Sequence, residues 1–318
     1  LGCATGGNLI PMAEGLPQAR LLGIDRSGPQ IAAGNRLIER LGLANLRLRQ
    51  GDILDLDPDR DPELGEADFI IAHGVYSWVP STVQRRLLWL VRRLLAPNGI
   101  FYVSYNVLPG WRLRGTLRDI LLDACREAQA PQDRLDAARS ALSRLARGLV
   151  DLPGAAAILL REEVRRLQAV PPSYLYFEYL AEHHTPVLFR DFVQACDTAG
   201  LRYLCDSRLH TQFPEGLGDA VEAALADLED GLDLEQWLDF LGNRGFRQSL
   251  LIRDDALAEE VLSLERFAAL SLCADLRPPE RLRPRDSRPA RFERPGGESV
   301  EVFHPLTKAV LSILARDY

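Results

Sequence analysis

The sequence has no apolar run that approaches the roughly 18 to 20 residues needed to cross a membrane, so we expect no membrane insertion. Its five cysteines include no CxxC pair and no disulfide-framework spacing, which favours reduced thiols in a cytoplasmic protein and predicts no metal site. Basic residues number 38 against 45 acidic ones, giving a formal net charge of −7. A chain of this charge is poorly suited to bind nucleic-acid phosphates, so we predict no nucleic-acid partner.

The composition is otherwise that of an ordinary globular enzyme. The chain has 318 residues, of which 47% are hydrophobic and 26% charged. This length suggests about two domains, each on the order of 150 residues.

Strand-like and helix-like segments alternate from residue 1 to about residue 104. Short apolar runs predict strands, and apolar residues at helical spacing predict helices between them. The predicted strands cover 19–25, 45–52, 67–74 and 100–106, and the predicted helices cover 29–43 and 81–99. This alternation predicts βαβ units on a parallel sheet, so the expected fold class is α/β, with a Rossmann-like doubly wound sheet.

Glycines and acids follow the predicted strands, where ligands of such sheets bind. The chain opens on "LGCATGGN", in which Leu1 ends a strand and the glycines let a ligand approach the backbone closely. Asp25 ends the second strand, where a carboxylate accepts ribose hydroxyls, and Asp52 ends the third, where it can accept from an adenine amino group. Capping of the next helix is the alternative role for Asp25. The agreement of three strand ends favours a nucleotide site.

Several longer segments carry a more specific signal. They are "LGCATGGNLIPMA", "GIDRSGPQI", "GDI", "AHGVYSWVP", "VSYNVLPGW", "YLAEHHTPVLFRDFVQACDTAGLRYL", "LDFLGNRGFRQSLL" and "HPLTKAVL". Together they resemble the class I S-adenosylmethionine (SAM) dependent methyltransferases, and more narrowly the bacterial branch with a methyltransferase regulatory domain. Some members of that branch are protein lysine methyltransferases of outer-membrane proteins. The resemblance implies SAM as cofactor, S-adenosylhomocysteine as product, and no metal.

By this resemblance, the opening segment is the SAM loop that follows the central first strand. We therefore expect that strand, with the family's acidic residue in it, to be missing from this fragment. The implied cofactor-binding residues are Gly2, Cys3, Ala4, Gly6, Asn8, Asp25, Arg26, Asp52, Ile53 and His73.

The acceptor side is predicted from two aromatic segments that follow strands, residues 73–80 and 105–111. Methyl transfer from a sulfonium depends mainly on alignment and on exclusion of water, and aromatic faces attract the cation. The catalytic candidates are Tyr105, Asn106, His73, Tyr76, Trp78 and Trp111. The tryptophans are alternatively anchors of the core or loops, and His73 alternatively braces its loop. The Asp/Asn-Pro-Pro-aromatic run typical of base methylation does not follow the fourth strand.

We divide the chain into four parts. Residues 1–111 are predicted to form the SAM-binding core, 112–178 a helical insertion that serves as a dimer surface or a lid, 179–212 the remainder of the core sheet, and 213–318 a C-terminal accessory, winged-helix-like α+β domain. His183 and His184 are predicted to be structural, because adjacent helical positions point about 100° apart. The arginine-rich segment 276–297 is interpreted as an exposed loop, with docking of an acidic partner as the alternative.

These features predict a SAM-dependent methyltransferase that modifies a protein side chain, with a lysine amine as acceptor. The alternatives are a small-molecule methyltransferase with the same core and a regulatory module that binds SAM without transferring methyl. The expected partners are a protein substrate, or else a small molecule, and a second copy of the chain.

Overall fold

The computed structural model describes residues 1–228, 231–256, 264–268, 270, 274–279, 281–283, 285, 288–294, 297 and 299–315. The chain divides into two compact units, residues 1–257 and residues 258–318.

The first unit is built on two groups of strands. One is a parallel pair, and the other is a four-stranded sheet. The pair consists of β1 (Leu21–Asp25) and β2 (Leu46–Gln50), and the sheet consists of β3 (Ala67–Ala72), β4 (Leu95–Asn106), β5 (Leu201–Asp206) and β6 (Phe246–Arg253), in the order β3-β4-β6-β5. β3 and β4 are parallel, whereas β6 runs antiparallel to both of its neighbours. The predicted α/β fold with a Rossmann-like sheet is confirmed.

The described helices of this unit connect and cover the strands. They are α1 (Leu9–Gly15), α2 (Gly28–Leu41), α3 (Ser81–Leu94), α4 (Gly110–Ala124), α5 (Pro131–Gly148), α6 (Ala155–Gln168), α7 (Pro172–Tyr179), α8 (Phe189–Thr198), α9 (Asp219–Leu225) and α10 (Gly231–Leu241). Prolines in the first turn of α2, α5 and α7 favour helix initiation, because proline lacks the amide hydrogen that is unpaired there. Gly42 ends α2 in a left-handed conformation with φ +68°.

Residues 1–3 join the parallel pair to the four-stranded sheet. Gly2 and Cys3 donate their amide hydrogens to the carbonyl of Ile24 in β1, at 2.8 and 3.2 Å. The Leu1 nitrogen donates to the carbonyl of Ile71 in β3 at 2.7 Å. The glycine-rich loop therefore starts between the carboxyl ends of β1 and β3.

Two apolar clusters support the site described below. The main core packs α3 and α8 against the four-stranded sheet, with Leu87, Phe101 and Phe192 fully buried. A separate cluster lies inside the helices α4 to α7, around Leu117, Leu142 and other buried apolar residues. The segment predicted as a helical insertion thus has an apolar core of its own.

The strand β6 differs from the prediction for this region. Residues 213–318 were expected to form a separate accessory domain, yet β6 lies within them and completes the first unit's sheet between β4 and β5. The physical reason is pairing along both edges of β6, which satisfies its backbone hydrogen bonds within the sheet. The sheet of the first unit therefore extends to Arg253.

The second unit contains four described elements. They are α11 (Leu264–Ala268), β7 (Ala290–Glu293), β8 (Ser299–Val302) and α12 (Pro305–Leu314). β7 and β8 pair antiparallel, and α12 follows them. Pro295, Gly296 and Glu298, between the two strands, lie outside the described residues. The winged-helix shape stays a prediction.

Candidate active site

The opening loop has a backbone that side chains would obstruct. Three of its residues have positive φ: Gly2 at +67°, Ala4 at +50° and Gly6 at +82°. A Cβ added to Gly2 would lie 2.3 Å from a methyl carbon of Val75. The same addition at Gly6 would lie 3.0 Å from Leu48. Both the backbone angles and these close approaches therefore favour glycine at positions 2 and 6.

Asp25 holds this loop in place. Its Oδ2 accepts the amide hydrogen of Ala4, and its Oδ1 accepts that of Ser27, each at 2.8 Å. The residue is half-buried at the end of β1. Each carboxylate oxygen can accept more than one hydrogen bond, so the same side chain can fix the loop and still accept from a ligand hydroxyl.

The other predicted cofactor residues surround this loop. Asp52 is half-buried, and its Oδ1 accepts the amide hydrogen of Leu54 at 3.0 Å. Ile53 packs against the main core, while Asn8 and Arg26 are exposed. Burial raises the pKa of Cys3 to about 11, so this thiol is neutral at physiological pH.

His73 is exposed directly after β3 and belongs to a polar chain. Its Nδ1 lies 3.1 Å from the Tyr102 hydroxyl, which accepts from Gln248 Nε2 at 2.7 Å. The next residue, Gly74, has φ +68° and donates its amide hydrogen to Ser104 Oγ at 2.8 Å. The chain therefore turns sharply beyond His73 and presents its ring at the end of the sheet.

Tyr105 and Tyr76 lie inside the main core rather than on the site. Tyr105 is 1% exposed, stacks on Phe192 with ring centres 3.8 Å apart, and hydrogen-bonds Ser249 Oγ through its hydroxyl at 2.9 Å. Tyr76 meets Phe192 edge-to-face at 5.2 Å. Burial raises the pKa of both tyrosines.

This placement corrects the prediction that Tyr105 and Tyr76 line the acceptor site. The reason for Tyr105 is strand alternation, because successive side chains of β4 point to opposite faces of the sheet. Tyr102, Ser104 and Asn106 therefore share the face that bears the site, whereas Tyr105 points into the main core.

Asn106 lies at the centre of the second group of site residues. We call this group the Asn106 cluster: Asn106, Trp78, Trp111 and His184. Asn106 Nδ2 donates to His184 Nε2 at 3.1 Å. The His184 ring lies between the two indoles, with ring centres 4.7 Å from Trp78 and 4.0 Å from Trp111. Asn106 and Trp111 are buried, whereas Trp78 and His184 are half-buried, so the cluster is exposed on the side of these two.

His184 has an altered protonation. Burial, with a contribution from the charge of Arg118, lowers its pKa to about 4. The imidazole is therefore neutral at pH 7, which lets Nε2 accept from the Asn106 amide while Nδ1 carries the hydrogen. Because Nδ2 is the donor in this hydrogen bond, Oδ1 of Asn106 is the amide atom that can accept a hydrogen bond from a substrate.

Sequence reasoning missed His184 as a member of the site. Backbone pairing brings it there, because Thr185 donates to the Ser77 carbonyl at 2.8 Å and Val187 donates to the Asn106 carbonyl at 3.1 Å. No local pattern near residue 184 predicts that pairing. The only sequence signal was its place in the family-specific segment "YLAEHHTPVLFRDF".

The described residues contain neither a metal-ligating cluster nor a membrane-spanning helix. No group of three or more His, Cys, Asp and Glu among them could hold a metal ion. None of the helices described is long and apolar enough to span a bilayer.

Known proteins match this chain along most of its length. One family profile, described as a methyltransferase domain, matches residues 1–139, and another, described as a predicted methyltransferase regulatory domain, matches residues 171–253. An uncharacterized protein of Rickettsia prowazekii is 36% identical over 194 residues, which cover 61% of this chain and 76% of that protein.

A solved structure matches as well. PKMT2 from Rickettsia typhi in complex with AdoHcy is 31% identical, with a TM-score of 0.82 over 99% of this chain and 61% of that chain. A second Rickettsia prowazekii protein is 35% identical over 255 residues, 80% of this chain and 45% of its own length. The chain thus spans about half to two thirds of these two longer relatives.

The sheet and the glycine loop held by Asp25 define a class I methyltransferase fold. The chain belongs to the family of SAM-dependent methyltransferases that carry a methyltransferase regulatory domain.

Proposed function

We propose that this protein transfers a methyl group from SAM to the side-chain amine of a lysine in a protein substrate. The observation that carries the acceptor assignment is the Asn106 cluster, in which a buried amide is fixed by a neutral imidazole between two indoles. The relative with the solved structure is named PKMT2, an abbreviation for a protein lysine methyltransferase.

The glycine loop fits the adenosyl and methionyl parts of SAM. Gly2 and Gly6 keep side chains out of the space beside the loop, and Asp25 offers acceptor lone pairs to ribose hydroxyls. Asp52, at the end of the next strand, is placed to accept from the adenine amino group. Bound SAM supplies a methyl group on a positively charged sulfur, which is already a good leaving group.

The Asn106 cluster performs the two tasks that a lysine acceptor requires. An amine must be neutral to attack carbon, and an apolar, half-buried surrounding lowers its pKa toward that state. Asn106 Oδ1 accepts an N–H of the amine and so directs its lone pair, while His184 holds the amide in that orientation. Trp78 and Trp111 exclude water, and aromatic faces beside the reacting groups attract the positively charged sulfonium of SAM rather than the neutral amine.

Continuity of the chain links the two groups of residues. The segment 73–78 begins at His73, passes Val75 against Gly2, and ends at Trp78 in the Asn106 cluster. A methyl donor on the glycine loop and an acceptor at Asn106 therefore approach the same short segment.

The helices α4 to α7 suggest a second role. These helices and the loop between α5 and α6 expose large apolar side chains, and we propose that this surface, within the predicted insertion 112–178, forms a dimer or else closes over the substrate. The exposed residues are Val150, Leu152, Ile158, Leu159 and Phe177. Light scattering during size-exclusion chromatography measures the mass of the protein directly. A monomeric mass would exclude the dimer and favour closure over the substrate. We also propose a cytoplasmic location.

The decisive experiment uses the protein expressed from its complete gene, methyl-tritiated SAM and fractionated bacterial extract. Acid-precipitable label that is absent with the Asp25→Ala variant supports a protein methyltransferase, and mass spectrometry then identifies the modified residue. Label confined to the soluble fraction favours a small-molecule acceptor. Tight SAM binding without any label favours the non-catalytic regulatory module.

A further inference from the structure

A cavity of about 270 Å³ in the first unit has no role in the function proposed above. We call it the arginine cavity, and its lining residues are Arg114, Arg208, Thr211, Arg244, Gly245, Phe246 and Gln248. These seven residues include three arginines and no aspartate or glutamate. Gln248 adds an amide nitrogen that has a second N–H besides the one donated to Tyr102, whereas the Thr211 hydroxyl donates its hydrogen to the Arg208 carbonyl at 2.8 Å. Such a wall of donors and positive charge suits a carboxylate.

The three guanidinium groups differ in how far they are neutralised. Arg244 is paired with the buried carboxylate of Asp206 at 2.8 Å, and Arg114 lies 3.8 Å from Glu163. Arg208 is exposed and has no ion-pair partner in the part of the chain that the structure describes. The cavity therefore contains one guanidinium without a counter-charge, beside two that retain further N–H donors.

The arginine cavity adjoins residues of the candidate active site. Phe246 in its wall meets the His73 ring edge-to-face, with ring centres 6.3 Å apart. Arg114 follows Trp111 by one turn of α4, and its guanidinium carbon lies 5.8 Å from the centre of the indole. A group in the cavity would therefore be a near neighbour of a group held in the Asn106 cluster.

We infer that the arginine cavity binds the carboxylate of an acidic side chain that lies close in sequence to the methylated lysine, an assignment that rests on the proposed function. Its volume is below the about 300–1,000 Å³ typical of small-molecule sites and suits a single side chain. Arg208 and Arg114 provide the charge, and the second N–H of the Gln248 amide provides a neutral donor.

The test compares pairs of lysine peptides that differ only in one residue, Glu or Gln. That residue is moved through positions within about four residues of the lysine, roughly 13 Å of extended chain. With the wild-type protein, expressed from its complete gene, the best Glu peptide should have a KM about tenfold below that of its Gln twin. Added salt should narrow the difference, because it screens the ion pair.

Arg208→Gln should remove the preference for Glu and leave the kinetics with the Gln peptide unchanged. Arg208→Lys should restore part of the preference by returning the charge. The matched control is Arg139→Gln, which removes one charge from an exposed position on α5 and should keep the preference in full. Equal KM values for every Glu and Gln pair with the wild type would overturn the inference, as would an equal loss on both peptides in Arg208→Gln.

Two further arms separate the inference from the proposed function. If the wild type labels none of the peptides, the proposed function fails for them, and calorimetric titration with the same Glu and Gln peptides then tests the cavity alone. Tighter binding of the Glu peptide that Arg208→Gln abolishes supports the carboxylate subsite. Equal affinity of the wild type for the Glu and Gln peptides refutes the subsite. Tricarballylate is tested as a free polycarboxylate. Its methylation would show that the arginine cavity binds the carboxylate of a small acid and not that of an acidic side chain in a peptide.

Discussion

At the scale of the residue, His184 makes stability depend on pH. Its pKa falls from 6.5 to about 4 on folding, so the unfolded chain binds the proton more strongly between these values. The contribution of His184 to the free energy of unfolding is therefore complete above pH 6.5 and is lost as the pH falls toward 4. We expect urea midpoints to drop between pH 7.5 and 5, and to drop less in His184→Gln.

The neighbouring histidine provides the control for that measurement. His183 is exposed, so His183→Gln changes the same kind of side chain outside the Asn106 cluster. It should leave the pH dependence of the wild type intact. An equal change of urea midpoint with pH in all three proteins would show that the half-buried imidazole of His184 is not the group that titrates.

Asn106 and Tyr105 are adjacent in sequence but should respond differently to substitution. Asn106→Ala removes the amide that would orient the acceptor, and misplacement of reacting groups costs about a hundredfold in rate, so kcat should fall by about that factor while SAM affinity is kept. Tyr105→Phe removes one buried hydrogen bond to Ser249 and should cost about 1 kcal/mol of stability with kcat near that of the wild type. A large loss of kcat in Tyr105→Phe with unchanged stability would return that hydroxyl to the catalytic site.

The contrast between these two residues marks the limit of prediction from sequence. The strand, its end and the residues at that end follow from periodicity and from the motif. Which face of β4 bears the site depends on what packs against each face, and one face is covered by α8, which lies far along the chain. For the same reason the sequence predicted only a structural role for His184, whereas Asp25 and the glycines act through local backbone geometry that their own segments indicate.

At the scale of the element, the packing of α2 on the glycine loop depends on Gly34. A Cβ added there would lie 2.5 Å from the Thr5 carbonyl oxygen and 2.4 Å from Leu48. Gly34→Ala should therefore push the loop away from α2, cost about 1–3 kcal/mol of stability and weaken SAM binding measured by calorimetry. In contrast, Gly115→Ala in α4 meets nothing within 4 Å and should stabilise the protein by about 0.5–1 kcal/mol.

Affinity for SAM shows whether the Gly34→Ala substitution displaces the glycine loop or only destabilises the fold. A variant that loses stability but binds SAM as tightly as the wild type would mean that the loop tolerates the displacement. The Gly115 variant should bind SAM normally in either case, because a Cβ at that position meets nothing within 4 Å.

A buried ion-pair network ties β6 to α10. Arg247 is fully buried, and its guanidinium donates to Asp239 at 2.9 Å and to Glu235 at 2.7 Å. Arg247→Met leaves these carboxylates without their partner in the interior, and we expect a loss of about 3–5 kcal/mol in guanidinium unfolding. The exposed Arg202→Met on β5 should change stability by about 0.5 kcal/mol or less, and similar losses in both variants would contradict a special role for the network.

The position of β6 in the first unit's sheet differs from the domain division predicted from the sequence. The segment 231–253 has the pattern of a helix followed by a strand. That pattern fits a separate domain as well as a strand that returns to the sheet of the first unit. Burial of Arg247 with acids from α10 is a nonlocal arrangement, and a charged residue in a strand gives no sign that it will be fully buried. Elements whose partners lie nearby, such as β1 and β2, were placed correctly.

At the scale of the whole molecule, the chain is nearly free of its own proposed acceptor. Its only lysine is Lys308, and the other 37 basic residues are arginine. Lys308 is 1% exposed, and its Nζ donates to the Arg288 carbonyl at 2.5 Å. An amine held in this way is inaccessible to an active site, whether in its own molecule or in another copy.

We therefore expect no methylated peptide from residues 1–318 when the native protein is incubated with SAM and analysed by mass spectrometry. The same chain unfolded in urea, diluted and offered at once to native enzyme exposes Lys308 and gives a positive control for its detection. Methyl groups on the exposed arginines of the native protein would contradict lysine as the acceptor, since an arginine-directed enzyme would find many sites on its own surface. A methyl group on native Lys308 would instead show that the C-terminal unit opens far enough to release that side chain.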